Sequence, residues 1–138
     1  MSTPATEPTT PATDRARSPL YSALVGLASL GVLLQGVWAG LFIREGQAND
    51  PHWVAVHSLD GQVTTALALV ATVIAFVQLR ARRDLVLGTA LLTLLLVVEV
   101  ALGQAVGSSH ALQVVHIPLA LALMGLAVWL PLRARRAG

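Results

Sequence analysis

The sequence predicts an all-α, polytopic membrane protein with four transmembrane helices in an up-down-up-down antiparallel bundle. Hydrophobic residues make up 55% of the 138 residues, and charged residues only 12%, against roughly 25% in soluble domains. The mean hydropathy is +0.71. Because a soluble chain of this length cannot bury so much apolar surface, an integral membrane protein is the expected class.

Four long apolar segments are separated by short polar connections. Each is long enough to cross a bilayer core at about 1.5 Å per residue. Short connections between spans favour antiparallel neighbours, and helices satisfy their own backbone hydrogen bonds in lipid. The predicted transmembrane domain covers residues 20–132, with spans at about 20–43, 53–79, 85–106 and 111–132.

The two ends of the chain differ from the apolar domain. Residues 1–19 are rich in Pro, Thr and Ala and have no apolar periodicity, which predicts a disordered tail. Residues 133–138 form a short basic tail. Every basic residue of the chain is an arginine, and only Arg44 falls on one side of the predicted membrane. The remaining arginines fall on the other side: Arg15, Arg17, Arg80, Arg82, Arg83, Arg133, Arg135 and Arg136.

This arginine bias predicts the orientation, since loops rich in Lys and Arg stay on the cytoplasmic side. We therefore expect a multi-pass protein of the plasma membrane with both termini in the cytoplasm. Because the arginines flank apolar segments and form no continuous face, nucleic-acid binding is not expected. The chain has no cysteine, which excludes disulfides, thiolate metal sites, iron–sulfur clusters and covalently attached c-type haem.

Small and polar residues recur at helical spacing on each helix, a pattern by which helices approach closely in lipid. They are predicted to face inward. On the second helix they are His57, Asp60, Gly61, Thr64, Ala68, Ala71, Thr72 and Ala75; on the first, Ala28, Gly31, Gln35 and Ala39; on the third, Gly88, Glu99 and Gly103.

Polar residues from all four helices fall at a similar depth, within roughly 5–12 Å of the outer boundary at 1.5 Å per residue. Ionisable groups at such depth are costly and often functional. This polar layer comprises Gln35, His57, Asp60, Glu99, Gln113 and His116.

The two histidines of this layer suggest a b-type haem site. His57 and His116 lie on the second and fourth helices, which are diagonally opposite in a simple ring of four. Neutral imidazoles can ligate one iron from both sides without any cysteine. Gly61 and Ala120, one turn further along each helix, would leave room for the ring. The corresponding hypothesis is electron transfer or haem handling.

Two short motifs carry a family resemblance. The stretch from Glu99 to Gly107 (EVALGQAVG), a short turn, and then His116-Ile-Pro-Leu-Ala resemble one half of the haem A synthase family, which is built from two four-helix halves. The resemblance implies that His57 and His116 are a pair able to bind a b-type haem and that Glu99 is a catalytic or proton-handling carboxylate. Only one half is present, so a homodimer would be needed to restore two.

A second resemblance covers the first helix. Gln35-Gly-Val-Trp-Ala-Gly-Leu-Phe is similar to a Gln-x-x-x-Ala-Gly pattern in a family of small bacterial four-helix membrane proteins with a histidine early in helices two and four. No activity is assigned to that family. The expected partners are the lipid bilayer and either a second copy of the chain or a membrane redox partner.

Two other interpretations of the polar layer stay open. It could be a structural hydrogen-bond network in a non-enzymatic accessory protein. It could also be an outer-face metal or proton site, with His57 and His116 joined by His52 and His110 and by a carboxylate. The histidine spacings do not place two ligands on one helix face, so any such site would be assembled across helices. The sequence predicts no catalytic residue.

Overall fold

A computed structural model describes residues 18–43, 49–106 and 110–136, without the side chain of His110. These residues form four α-helices: α1 (Pro19–Phe42), α2 (Pro51–Gln78), α3 (Arg83–Ala105) and α4 (His110–Arg135). The predicted all-α class is confirmed. Predictions for residues 1–17, for Arg44, and for the turn at 107–109 lie outside the described residues.

The first two helices begin slightly before the predicted spans, and proline explains where. Pro19 and Pro51 occupy the first turns of α1 and α2, where the missing N–H has no intrahelical role. The preceding Ser18 and Asp50 cap the helices, each side chain accepting a hydrogen bond from a backbone N–H, at 3.1 Å and 3.0 Å. The local sequence therefore determines where α1 and α2 begin.

The last helix is longer than predicted. It continues past residue 132 to Arg135, so the first part of the predicted 133–138 tail is helical. Pro118 and Pro131 both lie inside it. Such prolines are tolerated within transmembrane helices, because neighbouring helices and side chains can satisfy the backbone groups that a proline leaves without a partner.

The helices form a ring in chain order. α1 packs on α2, α2 on α3, α3 on α4, and α4 closes the ring against α1. α1 and α3 are therefore diagonal, as are α2 and α4, which confirms the predicted four-helix bundle.

The outer surface of the bundle is apolar. Large side chains such as Leu59, Leu87 and Leu121 are 63%, 67% and 69% exposed. All four helices are long and apolar enough to cross a membrane. An apolar surface of this kind is stable in contact with lipid but not in contact with water. The protein is therefore a multi-pass membrane protein.

Packing is uneven along the bundle axis. We call the end that carries Ser18, the α2–α3 turn and the end of α4 the basic end, and the half next to it the basic half; the other half is the polar half. Among the described residues, every fully buried one lies in the basic half or within about one turn of a helix midpoint. The polar half is packed more loosely.

Hydroxyl groups join the helices in the basic half. Tyr21 on α1 is hydrogen bonded to Thr89 on α3 at 2.7 Å, and Thr72 on α2 to Thr93 on α3 at 2.9 Å. The predicted α2 stripe is the buried face of that helix from Gly61 onward. Its buried members are Gly61, Thr64, Ala68, Ala71, Thr72 and Ala75.

Candidate functional site

The polar layer lies in the loosely packed half, and its main members share one depth. His57 and His116 are each six residues from the first residue of their helices, and Glu99 is six residues from the last residue of α3. Gln35 is seven residues from the last residue of α1. At about 1.5 Å per residue, the histidines and Glu99 lie about 9 Å inside the helix ends. All four side chains are half-buried.

One part of the layer is a hydrogen-bonded network between α1 and α2. The Gln35 side-chain amide donates to Asp60 Oδ2 at 2.6 Å and to the carbonyl oxygen of His57 at 3.0 Å. The hydroxyl of Thr64 donates to the other Asp60 oxygen at 3.4 Å. Both oxygens of Asp60 are thus satisfied, which is what a carboxylate at this depth requires.

Gly61 lies beside this network, between α1 and α3. A Cβ placed on Gly61 would lie 3.6 Å from Val100 on α3 and 3.7 Å from the side-chain oxygen of Gln35. Close packing of neighbouring helices against a small residue is the usual arrangement in membranes. The structure therefore places Gly61 where helices approach each other; its predicted role in leaving room for a ring stays a prediction.

The other part of the layer is a pair between α3 and α4. Glu99 Oε1 lies 3.1 Å from His116 Nδ1, and the two side chains are only 12% and 21% exposed. Although the distance is that of an ion pair, the angles do not make a hydrogen bond. Both carboxylate oxygens of Glu99 and His116 Nδ1 are buried without a hydrogen-bond partner among the described residues.

Gly103 provides space for the His116 ring. A Cβ at this position would lie 3.3 Å from His116 Cε1, tighter than an ordinary contact, so a larger residue would press on the ring. The sequence placed Gly103 on the α3 stripe but did not place it beside His116. Its spacing of four residues from Glu99 was the signal, since residues four apart share a helix face.

His57 faces the layer from the opposite corner. Its Nδ1 is buried without a partner in the described part of the chain, and its ring contacts Phe42 in a T-shaped arrangement with centroids 5.3 Å apart. His57 and His116 lie at the same depth of the bundle, each six residues from the first residue of its helix. The two histidines therefore belong to one region, although their helices are diagonal.

Aromatic side chains cover the polar end of the α1–α2 pair. Trp38 and Trp53 stack with centroids 5.7 Å apart and an interplanar angle of 8°. The ring of His52, which is exposed, contacts Trp53 in a T-shaped arrangement with centroids 5.0 Å apart. Trp38 thus joins two helices, and its Nε1 is buried without a partner among the described residues.

The remaining predicted residues lie on α4. Gln113 and Ala120 are half-buried, one turn before and one turn after His116. Within the described residues, no group of three or more His, Asp or Glu side chains could hold a metal ion. A cofactor that brings its own equatorial ligands, as haem does, would need only the two histidines from the protein.

Comparisons with protein-family models, curated proteins and solved structures found no match for this chain. The resemblance to one half of haem A synthase therefore stays an expectation based on its short motifs. What the site can do is inferred below from its own residues.

Proposed function

We propose that this membrane protein binds one b-type haem between α2 and α4, with His57 and His116 as axial ligands, and serves in electron transfer or haem handling. One observation carries the proposal. Two histidines lie at the same depth on diagonally opposite helices, in the half of the bundle where the described side chains are least closely packed.

The position of Glu99 supports a ligand role for His116. Metal-bound histidines usually direct their second ring nitrogen toward a carboxylate or carbonyl, which fixes the tautomer and raises the basicity of the ligating nitrogen. Glu99 Oε1 is 3.1 Å from Nδ1 of His116. This leaves Nε2 as the nitrogen whose lone pair could bind iron.

The buried polar atoms of the layer that lack hydrogen-bond partners also support the binding of a ligand there. Buried polar atoms without partners are rare in native proteins and call for an explanation. Here they cluster at His57, Glu99 and His116, whereas Asp60 is satisfied by Gln35. The remaining buried atom without a partner among the described residues is Trp38 Nε1, which lies nearer the polar end of α1 than Gln35.

When bound, haem would supply reversible one-electron exchange at its iron. The chain's own residues would hold the two imidazoles apart on separate helices and keep them in a medium from which water is largely excluded. Phe42 would restrict the rotation of the His57 ring through its T-shaped contact. Glu99 would restrict the His116 ring.

A reduced-minus-oxidised visible spectrum of the purified protein, expressed with haem supply, tests this function. We expect a Soret band and sharp α and β bands on reduction. His57→Ala and His116→Ala should each lose bis-histidine ligation. His52→Ala is the matched control, because this histidine is exposed at the start of α2, and its spectrum should not change. A colourless protein, or an unchanged spectrum in His116→Ala, would contradict the proposal.

A second candidate is a structural hydrogen-bond layer in an accessory protein, and the network around Asp60 favours it. That network joins α1 to α2 without needing a ligand. If the whole layer is structural, His57→Ala and His116→Ala should change only the stability of the protein and not its visible spectrum. The metal site of the third interpretation would require stoichiometric Zn or Cu that disappears in His57→Ala.

The proposed orientation places both termini in the cytoplasm, as the arginine distribution favours. Because the chain has no cysteine, single cysteines can be introduced for labelling in intact cells. Ala48→Cys, in the first polar connection, should react with a membrane-impermeant thiol reagent. Gly138→Cys should react only after the membrane is opened, and the reverse pattern would contradict this orientation.

A further inference from the structure

Two separate segments are held together at the basic end by one carboxylate. Asp84, in the first turn of α3, accepts hydrogen bonds from Arg82 Nε at 3.2 Å and Nη2 at 3.1 Å, and from Arg133 Nε, near the end of α4, at 2.7 Å. Arg82 also donates to the carbonyl oxygen of Arg133 at 3.5 Å. We call these three residues the arginine clamp. It fixes the α2–α3 turn next to the end of α4.

The clamp brings further arginines to the same corner. Four of them are exposed, and within the described residues none has an acidic partner: Arg80, Arg83, Arg135 and Arg136. Among the described residues, six arginines and one aspartate lie here and leave a concentrated positive charge. Surface charges of one sign within about 10 Å repel each other, so an anion at this corner would be stabilising.

We propose that this corner binds the headgroup of an anionic phospholipid. Guanidinium groups match the geometry of phosphate oxygens and bind them in a bidentate manner. The arginines lie between α2 and α3, at the start of α3, and in or just after the last turn of α4. These are the ends of apolar spans, where lipid phosphates are concentrated. The acyl chains of the same lipid would contact the exposed apolar side chains of these helices.

The position of these arginines at the ends of apolar spans favours a lipid phosphate over a soluble anion. Basic residues next to a membrane span gain about 1 kcal/mol each from an anionic surface, because the headgroups are already concentrated there. A free phosphate would lose translational freedom on binding and gain no apolar contact. Inorganic phosphate should therefore compete poorly.

The test uses the full chain in nanodiscs of mixed phosphatidylglycerol and phosphatidylcholine, with retained lipid measured by native mass spectrometry. We expect phosphatidylglycerol to be retained preferentially. Arg83→Gln and Arg135→Gln should each reduce that preference about fivefold, from the surface attraction of a single arginine. Arg44→Gln, which removes the same charge in the first polar connection, is the matched control and should leave the preference unchanged.

Asp84→Asn separates the geometry of the clamp from net charge. This variant makes the corner more positive but weakens the bonds that hold α3 and α4 together. We expect a weaker preference for phosphatidylglycerol, whereas attraction by net charge alone would give a stronger one. A stronger preference in Asp84→Asn, equal retention of both lipids by the unaltered chain, or displacement by millimolar phosphate would overturn the proposal.

Discussion

Substituting Gly31 by alanine tests how α1 and α2 are packed. A Cβ on Gly31 would overlap the hydroxyl oxygen of Thr64 and lie 3.1 Å and 3.2 Å from the Cβ and Cγ2 of the same side chain. Thr64 is only 1% exposed and cannot move out of the way into lipid. To accept the methyl group, the two helices must separate or Thr64 must rotate away from Asp60, to which it donates a hydrogen bond.

The cost follows from these contacts. Adding a methyl group to a well-packed interface typically costs about 1–3 kcal/mol. The overlap with Thr64 is closer than any real contact, so the upper part of that range applies. Alanine regains at most about 1 kcal/mol of helix propensity over glycine. We therefore expect Gly31→Ala to lower the free energy of unfolding by about 1–2 kcal/mol.

Reversible unfolding of the purified protein in mixed micelles, titrated with a denaturing detergent, measures this free energy. Gly26→Ala and Gly36→Ala are matched controls on the same helix, because their added methyl groups would have no atom of the described residues within 4 Å apart from the adjoining helix backbone. Thr64→Ala removes the overlapping hydroxyl, so the double variant should cost less than the sum of the two single variants. If Gly31→Ala were as stable as Gly36→Ala, the described approach of α1 and α2 would be wrong.

Three further substitutions are checked by the same unfolding titration. Gln35→Leu should cost about 1–3 kcal/mol, because it removes the amide that donates to the Asp60 carboxylate; no loss would mean that this bond is absent in lipid. Tyr21→Phe should cost only about 0.5–1 kcal/mol, since Thr89 keeps its bond to a backbone carbonyl, and a larger loss would contradict that arrangement. Glu99→Gln should leave the stability of the haem-free protein nearly unchanged, because neither carboxylate oxygen has a hydrogen-bond partner among the described residues; a clear loss would show that His116 donates to Glu99.

The fold could be predicted because lipid imposes strong rules on sequence. Span length, short connections and the requirement for internal backbone hydrogen bonds leave few alternatives to a four-helix bundle. The buried face of α2 was also predictable, since residues such as Gly61, Thr64 and Ala68 recur at helical spacing and are small. Such a pattern tells which side of a helix faces its neighbours.

The contacts within the polar layer could not be predicted from the sequence. A stripe defines a helix face but not the sliding of one helix along another, which decides whether Asp60 meets Gln35 or His116. The structure pairs Asp60 with Gln35 and Glu99 with His116, a division of the layer into two parts that spacing alone does not contain. The arginine clamp depends in the same way on how α4 ends beside α3.

The uneven packing along the bundle axis was likewise hidden from the sequence. Leucine and valine are as frequent near His116 as near the basic end, and hydropathy does not distinguish a side chain packed on a neighbour from one facing lipid. Only the arrangement of the helices revealed that the polar layer lies where packing is loose. That coincidence is the basis for proposing a bound group there.

The visible difference spectrum of the purified protein, compared between the unaltered chain, His116→Ala and His52→Ala, tests the proposed haem site most directly. We expect bis-histidine b-type bands in the unaltered chain and in His52→Ala, and loss of those bands in His116→Ala. A protein that folds and stays colourless when haem is supplied, or bands that persist in His116→Ala, would contradict a haem ligated by His57 and His116.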